Sequence, residues 1–332
     1  MTTTVVPGLE PPLVERTATG ALLKFVTHSP TVVRCYSVFD KFFPACGLLD
    51  YTEGIYHGDP AVTYEQAQIN QINYVLDEVN CGPDVRILEV GCGNGNLLDE
   101  VRRRGAHGVG VTISPEQVAL CRKRGLDVRR QDYKLLADDY AGKFDAVVAN
   151  GPIEHFVQPE EAARGWTDDI YRQMFDIFHR AIDRTSPIRK LINTTIHFVR
   201  EPDPKALMVS PFRHKRGGDD WHWAWLARSF GGYYPTMGQF ERCAAGFFQL
   251  TKTVDGTYDY HLTSEEWLRR IQKLLLTWPG IKIMFGSIPT ALRHPRQMFD
   301  MFTCMMGTQS WNWQFRGDNP PTRLLRQSWI AA

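Results

Sequence analysis

The sequence predicts an α/β protein built around a doubly wound, mostly parallel sheet. Five short apolar runs between residues 81 and 200 have the length of buried strands. Segments of helical length separate these runs, as the crossovers between parallel strands require. A glycine-rich turn directly follows the first run, where parallel sheets often bind a ligand.

Each element follows from a local pattern. Before the sheet, residues 63–79 carry an apolar stripe at helical spacing, which predicts a helix. Within the core, strands and helices are predicted to alternate. The predicted strands are 86–90, 108–113, 126–129, 144–150 and 190–196, and the predicted helices are 96–104, 115–124 and 167–183.

The composition divides the chain into five sections. Prolines break residues 1–34, which we expect to be mobile, and residues 35–80 form a predicted helical lid. Residues 81–200 are the α/β core with the ligand-binding turn. Prolines, paired glycines and aromatic residues mark 201–250 as an inserted cap over the substrate. Residues 251–332 complete core and lid, with a helix predicted over 264–276 and Ser264 as its N-cap.

The charge balance excludes several classes of protein. Lys and Arg total 38 against 37 for Asp and Glu, so we expect no nucleic-acid partner. No apolar stretch approaches eighteen residues, which argues against a transmembrane segment. Seven scattered cysteines without C-x-x-C spacing, and a start without signal-peptide features, favour a cytoplasmic protein. No His, Asp or Glu grouping has the spacing of a metal site.

The glycine-rich turn is the most specific local motif. It reads Glu89-x-Gly91-x-Gly93-x-Gly95, where glycines permit a sharp turn and close approach of a ligand. Its spacing differs from the G-x-G-x-x-G of dinucleotide-binding proteins. The acid before the first glycine instead resembles the first motif of class I S-adenosylmethionine-dependent methyltransferases.

Further candidate cofactor contacts follow the other strands. The second strand ends in a G-V-T-I-S-P-E-Q run with a threonine where most such sheets place an acid for ribose. Ligands in these sheets bind at the carboxyl ends of strands, so the loops after strands two, three and four should meet. The residues predicted there are Thr112, Ile113, Ser114, Gln117, Asp132, Tyr133 and Asn150.

Longer segments resemble the cyclopropane-fatty-acid-synthase and mycolic-acid-methyltransferase family. Ile153-Glu154-His155 resembles the family's F-E-H, and residues 50–56 stand where the family has a Tyr-Ser-Cys loop. Residues 230–235 resemble its F-P-G-G-Y-x-P segment, and residues 258–267 its H-Y-x-x-T-L-x-x-W segment. The resemblance covers about residues 35–315. It implies a Rossmann-like class I methyltransferase fold, S-adenosylmethionine as cofactor, and further cofactor contacts from Tyr51 and Thr52.

The resemblance also implies a chemistry. In the family, the methyl group adds to a carbon–carbon double bond, and the resulting carbocation must lose a proton. In cyclopropane formation a bound bicarbonate takes this proton from the new methyl group. A strand-four Glu, the backbone of the Cys loop, a His and an Ile on strand five, and a C-terminal Tyr hold the bicarbonate.

This chain keeps only part of that set. Glu154 matches the family's acid, whereas the loop Cys falls on Glu53 or Gly54 and the strand-five His falls on Asn193. The C-terminal Tyr has no clear match. The candidate catalytic residues are therefore Glu154, Glu53, Asn193 and Tyr51. We hypothesise that Glu154 or Glu53 takes a proton from the substrate skeleton and leaves a methylated alkene.

Two groups of residues are candidates for the acceptor. Arg213-His214-Lys215-Arg216 is the densest basic run, and it reads either as a solvated loop or as a clamp for a phosphate or diphosphate. Aromatic residues around the cap read either as packing or as a pocket that stabilises a cation. Those predicted to bind substrate are Trp223, Tyr233, Tyr234 and Tyr260.

The leading hypothesis is an S-adenosylmethionine-dependent C-methyltransferase that acts on a double bond of an apolar, possibly phosphorylated acceptor. The basic run favours a small isoprenoid diphosphate. The alternatives are a cyclopropane synthase of unsaturated fatty acyl lipids, an N- or O-methyltransferase of a small metabolite, and a non-catalytic cofactor-binding partner protein. An exposed aromatic cap would also suit a homo-oligomer.

Overall fold

The computed structural model describes residues 30–42 and 44–332. Most of the segment expected to be mobile, residues 1–29, lies outside the described residues. Residues 30–34 belong to the first helix, Pro30–Phe42, so the predicted boundary between segment and lid was placed too late.

A seven-stranded sheet with the order β3-β2-β1-β4-β5-β7-β6 forms the centre of the molecule. The first five strands are parallel, and β7 runs antiparallel between β5 and β6. The strands are β1 Arg86–Val90, β2 His107–Thr112, β3 Asp127–Arg130, β4 Ala146–Asn150, β5 Lys190–Phe198, β6 Phe248–Asp255 and β7 Thr322–Ala331.

Helices cover both faces of this sheet and build a cap above it. They are α1 Pro30–Phe42, α2 Tyr64–Glu78, α3 Asn96–Arg103, α4 Pro115–Lys123, α5 Leu136–Tyr140, α6 Pro159–Ala162, α7 Thr167–Ala181, α8 Pro204–Met208, α9 Asp219–Phe230, α10 Gln239–Cys243, α11 Thr257–Leu275, α12 Trp278–Gly286, α13 Ile288–Arg293, α14 Pro295–Phe302 and α15 Ser310–Trp313. Among the described residues, no helix is long and apolar enough to cross a membrane.

The predicted fold class is confirmed, and the predicted core strands and helices lie within a few residues of the observed ones. Two strands were missed, and the last three residues of the predicted cap, 248–250, belong to β6. The predicted N-cap at Ser264 is wrong, because α11 already begins at Thr257 and the Ser264 hydroxyl donates to the carbonyl of His261 within it.

The topology brings the loops after β1, β2 and β4 to one edge of the sheet. Strand β1 is central, and β2 and β4 flank it in the same direction. The turn after β1 is also tied to its neighbour, since the Gly91 N–H donates to the carbonyl of Val111 at 2.8 Å. The carboxyl ends of these strands therefore form the floor of a common site.

Candidate active site

A cavity lies over the carboxyl ends of β1, β2 and β4. Its walls come from the strand-end loops and from α1, α9, α11 and the region of α15. Most of the residues predicted for the site line it together. These are Tyr51, Thr52, Gly91, Gly93, Thr112, Ile113, Ser114, Gln117, Asp132, Tyr133, Asn150, Glu154, Tyr234 and Tyr260.

The three glycines of the turn have different reasons to be glycine. All three have positive φ. A Cβ on Gly91 would lie 2.4 Å from the Pro152 side chain, and one on Gly95 would lie 2.6 Å from Leu126, so these two permit close packing. A Cβ on Gly93 would meet nothing nearer than 3.7 Å and would project towards the cavity. Gly93 therefore leaves room for a ligand against the backbone.

Glu89 lies beneath the turn at the end of β1 and is only 4% exposed. Its Oε2 atom finds no hydrogen-bond partner among the described residues. Burial raises the pKa of this carboxyl well above its usual range, with the Asp50 carboxyl adding to the effect. A buried, unpartnered carboxylate oxygen beside a glycine turn suits a ligand that carries a positive charge.

The end of β2 forms a hydrogen-bonded network with the lid. The Thr112 hydroxyl donates to Gln117 Oε1 at 2.7 Å, and Ser114 caps α4 by accepting from the Gln117 N–H. The Gln117 amide reaches Asp40 of α1 at 3.5 Å, and the Tyr51 hydroxyl donates to the same Asp40 oxygen. Sequence reasoning missed Asp40, a half-buried acid that bonds Gln117 near the point where β2 lacks an acid.

The remaining cofactor candidates are held rigidly. Asp132 caps the turn after β3 by accepting from the Lys134 N–H, and the ring of Tyr133 stacks on Phe156 with centroids 3.9 Å apart. The Asn150 side chain accepts from the buried amide of Gln71 at 2.7 Å. These contacts fix the polar and aromatic groups that line this end of the cavity.

Glu154 faces the cavity from the turn after β4 and is 8% exposed. Its Oε1 accepts from the backbone N–H of Ile196 on β5 at 3.0 Å. Burial raises the pKa of Glu154 to about 8, and the Glu53 carboxyl adds a smaller contribution. A Cβ on Gly232 would lie 2.2 Å from the Glu154 carbonyl oxygen, so the glycine pair in residues 231–232 lets the cap pack onto the turn that carries the acid.

Glu53 is placed differently from Glu154, because it does not line the cavity. It is 1% exposed, and it accepts from Arg326 Nε at 2.8 Å. The same guanidinium bonds Asp259 at 2.9 Å, so one arginine on β7 joins the loop of Glu53 to α11. Burial nevertheless raises the pKa of Glu53 to about 7, against the lowering effect of Arg326. This ion-paired carboxylate is poorly placed to act as a base.

Asn193, one of the candidate catalytic residues, does not line the cavity. Its amide oxygen accepts from the indole N–H of Trp329 at 2.7 Å, and its nitrogen donates to the Thr195 hydroxyl at 3.1 Å. Because side chains alternate along a strand, the Asn193 side chain lies on the opposite face of the sheet from that of Ile196, which lines the cavity. The group on β5 that bonds Glu154 is instead the backbone N–H of Ile196.

Aromatic side chains enclose the half of the cavity above Glu154. The Tyr36 hydroxyl of α1 lies 2.8 Å from Nε2 of His155. Burial lowers the pKa of His155 to about 4, so this imidazole is neutral. Two further pairs of rings stack across the walls, Tyr260 on Phe315 and Trp267 on Trp311. Sequence reasoning missed the contribution of α1, because its apolar and aromatic residues carry no motif.

The basic run does not reach the cavity. Arg213, Lys215 and Arg216 are exposed, and His214 bonds the carbonyl of Ala206 at 3.0 Å. None of the four lines the cavity, so the predicted clamp is not where the acceptor would enter. The exposed positions of these side chains fit the interpretation of the run as a solvated loop.

Two aromatic residues predicted to bind substrate are packing residues. Trp223 is buried against Phe198, Tyr234 and Trp313. The Tyr233 hydroxyl donates to Glu201 and to the carbonyl of Pro202. Neither lines the cavity. Within the described part of the chain, no group of His, Cys, Asp and Glu has the arrangement of a metal site, and the seven cysteines are unpaired.

The sheet order and a cavity at its strand ends define a class I methyltransferase, the class that takes its methyl group from S-adenosylmethionine. Within this class, the chain belongs to the mycolic acid cyclopropane synthetase family, whose sequence profile matches residues 26–279. The family resemblance read from the sequence is therefore confirmed.

Two curated relatives match part of the chain. A ubiquinone biosynthesis O-methyltransferase from Hahella chejuensis is 37% identical over 115 residues, which are 33% of this chain and 48% of the relative. Hydroxymycolate synthase MmaA4 from Mycobacterium bovis is 29% identical over 148 residues, 43% of this chain and 47% of the relative. The chain thus spans about half the length of these relatives.

Solved structures resemble nearly the whole chain in fold. Mycolic acid cyclopropane synthase CmaA1, crystallised with SAH and CTAB, superposes with a TM-score of 0.65 at 18% identity and covers 92% of this chain and 99% of its own. Geranyl diphosphate C-methyltransferase from Streptomyces coelicolor A3(2) superposes with a TM-score of 0.54 at 14% identity. The match covers 92% of this chain and 100% of that one.

Proposed function

We propose that the protein methylates a carbon–carbon double bond of an apolar acceptor, with S-adenosylmethionine as methyl donor and Glu154 as base. The position of Glu154 carries this proposal. Its carboxyl group is buried at the boundary between the strand-end loops and the aromatic half of one cavity, with a pKa raised to about 8. A carboxyl there can take a proton from a reacting acceptor.

The strand-end half suits the methyl donor. Bound S-adenosylmethionine would supply an electrophilic methyl group to the cavity. The unpartnered Glu89 oxygen would accept from its ammonium group, and Gly93 leaves room for it against the backbone. Thr112 and Gln117 offer polar groups to the ribose, and Asp132 and Tyr133 to the adenine.

The other half suits an uncharged acceptor. Its walls are Tyr36, Phe39, Phe230, Tyr234, Tyr260, Trp267, Trp311 and Phe315. Among the described lining residues, the basic side chains are Lys134, beside the predicted adenine contacts, and the neutral His155. Ring faces attract a positive charge, so these walls would stabilise a carbocation and exclude water from it.

The hydrogen bond from Ile196 supports Glu154 itself as the base. The family resemblance assigns a strand-five Ile to bicarbonate binding, but here the Ile196 N–H is occupied by the Glu154 carboxylate. In the proposed step, the methyl carbon bonds one alkene carbon and the bond to sulfur breaks. Glu154 then removes a proton next to the resulting cation, and the double bond re-forms with the methyl group attached.

The acceptor head group is less constrained. The basic run that favoured an isoprenoid diphosphate lies outside the cavity lining, so the lining favours an uncharged chain. A structural neighbour is nevertheless a geranyl diphosphate C-methyltransferase, which keeps prenyl diphosphates among the acceptors to test. Cyclopropanation of an unsaturated acyl chain is the second candidate, supported by family membership. Cyclopropanation differs from the proposed reaction in that the proton leaves the new methyl group.

The test compares Glu154→Gln with Glu160→Gln. Glu160 lies six positions further along, is exposed and forms no ion pair with a described residue. Each protein is incubated with labelled S-adenosylmethionine and either unsaturated phospholipids or prenyl diphosphates, and products are read by mass spectrometry. We expect carbon methylation by the wild type and Glu160→Gln, and a loss of about 100-fold or more in Glu154→Gln with unchanged cofactor affinity. Methylation on nitrogen or oxygen, or full activity in Glu154→Gln, would contradict the proposal.

A further inference from the structure

Residues 276–302 concentrate exposed apolar surface in one short segment. Of the sixteen large apolar side chains that are exposed among the described residues, eight lie here. Leu276 and Leu292 are 88% and 77% exposed. We name these eight the apolar face. They are Leu276, Trp278, Met284, Phe285, Ile288, Leu292, Phe299 and Phe302.

The apolar face is built outside the core. Apart from Leu276, which caps the end of α11, it lies on α12, α13 and α14, three short helices that follow one another along the chain. The buried residue of α12 is a glycine, Gly280, where a Cβ would lie 2.0 Å from the carbonyl of Leu274. Helix α12 therefore packs through its backbone and leaves its large side chains outside. Apolar surface of this extent marks an interaction site.

The charges on this segment all have one sign at the surface. Lys282, Arg293 and Arg296 are exposed. The acid in this stretch, Asp300, is buried and paired with Arg228 at 2.9 Å. The whole chain carries a formal charge of only +1, so this positive surface is a local feature.

The basic run borders the same surface. Phe212, which precedes it, is 73% exposed and packs edge-on against Trp225 with centroids 5.5 Å apart. The ring of Trp225 in turn packs against that of Phe299 on the apolar face, with centroids 6.2 Å apart. Phe212 and Phe299 therefore pack on the same tryptophan, and the exposed Arg213, Lys215 and Arg216 follow Phe212 directly in the chain.

We propose that the apolar face docks on an anionic lipid bilayer. Apolar side chains surrounded by Lys and Arg bind such a surface through both burial and charge attraction. Trp278, with Lys282 Nζ 5.7 Å from its ring centre, provides the aromatic and basic pair that suits the interface. A second copy of the chain fits less well, because it would bring like charges together.

The face lies behind the walls of the acceptor cavity. Arg228, the partner of Asp300, is on α9, and Gln297 donates to the carbonyl of Thr31 on α1 at 3.0 Å. The same two helices line the cavity with Leu226 and Phe230, and with Val32 and Val33. Docking would thus place a bilayer beside the helices that enclose the acceptor. The docking itself depends on neither the methyl donor nor the proposed chemistry.

The first test measures flotation of the full chain with vesicles in the absence of cofactor. Vesicles of phosphatidylcholine with about one-third phosphatidylglycerol should bind the protein, and phosphatidylcholine alone should bind it at least fivefold less. The triple variant Trp278→Ser/Phe285→Ser/Leu292→Ser should lose roughly tenfold or more of the binding. The matched triple Ile69→Ser/Leu120→Ser/Met237→Ser changes apolar residues exposed elsewhere and should bind as the wild type does.

A second arm tests the charges. Lys282→Gln, Arg293→Gln and Arg296→Gln should each reduce binding about fivefold at low salt, and less at high salt. Brominated lipids should quench the tryptophan fluorescence of the wild type, and quench Trp278→Phe less. Three results would overturn the proposal: no binding to anionic vesicles, equal loss in both triple variants, or a dimer in solution that the first triple variant dissociates. Because binding is read without cofactor or turnover, a failure here is distinct from a failure of the proposed reaction.

Discussion

As the proposed base, Glu154 has to satisfy two opposing conditions. Burial favours its uncharged form, but a base must be ionised before it can take a proton. A positively charged ligand in the same cavity favours the carboxylate and lowers its pKa. The residue therefore becomes competent when the site is loaded, and it resists ionisation when the site is empty.

The first prediction concerns the pH dependence of turnover. In the free enzyme the pKa of Glu154 is raised to about 8, so kcat/KM should rise with pH and level off above about 8. The corresponding rise in kcat should lie at lower pH. The reason is that kcat reports on the enzyme with its donor bound, and the donor's positive charge lowers the pKa of Glu154. Initial rates across this range test it. A rising limb that persists unchanged in Glu154→Gln would show that another group titrates.

The second prediction concerns Glu89. Glu89→Gln removes the charge from the unpartnered oxygen and keeps the shape of the side chain. The loss of a charge-assisted hydrogen bond should weaken S-adenosylmethionine binding by about 10- to 100-fold. Calorimetric titration measures the affinity, with the melting temperature as the control for folding. An unchanged affinity would mean that Glu89 does not contact the cofactor.

Among the elements, those with local signals could be predicted from the sequence. The predicted bounds of the strand before the glycine turn, 86–90, match the observed ones. The apolar run marks where this strand begins, and the glycine cluster marks where it ends. Strand β7 carries no such mark, since it pairs with β5 more than one hundred residues earlier. The ion pair between Arg326 and Glu53 and the contact of Asp40 with Gln117 depend on that tertiary arrangement and have no spacing to reveal them.

The third prediction concerns the ion pairs that join three elements. Arg326 is 2% exposed, and it bonds both Glu53 and Asp259. Arg326→Met should lower the free energy of unfolding by about 3–5 kcal/mol, because two acids lose their buried partner. Adding Glu53→Gln should restore part of this loss. Urea denaturation measures both, and a loss below about 1 kcal/mol would argue against a structural role.

The fourth prediction belongs to the whole molecule and concerns stability against pH. The pKa values of Glu154 and Glu53 are raised by burial to about 8 and about 7, so their contributions are complete below about pH 4.5 and are lost as pH rises through these values. The pKa values of His155 and His197 are lowered to about 4, so their contributions are complete above about pH 6.5. The pKa of the buried Glu89 is raised in the same direction, so between pH 6.5 and 8 these buried acids lower the stability together.

The free energy of unfolding without cofactor should therefore fall by about 2 kcal/mol or more between pH 6.5 and 8. Glu154→Gln should remove more of this dependence than Glu53→Gln does, because the pKa of Glu154 is the higher of the two. Urea titrations at the two pH values measure the change. Equal slopes in wild type and variant would place Glu154 in a more solvated environment than the structure shows.

At the scale of the molecule, a core that could be predicted from sequence holds the cofactor candidates. A cap that could not be predicted in detail encloses the half of the cavity proposed for the acceptor. The most direct test uses S-adenosylmethionine with a fully deuterated methyl group and unsaturated acceptors. We predict a carbon-methylated product that retains all three deuterium atoms, because Glu154 removes its proton from the acceptor skeleton. A product that retains two would mean cyclopropanation, and would contradict the assignment of the proton that Glu154 removes.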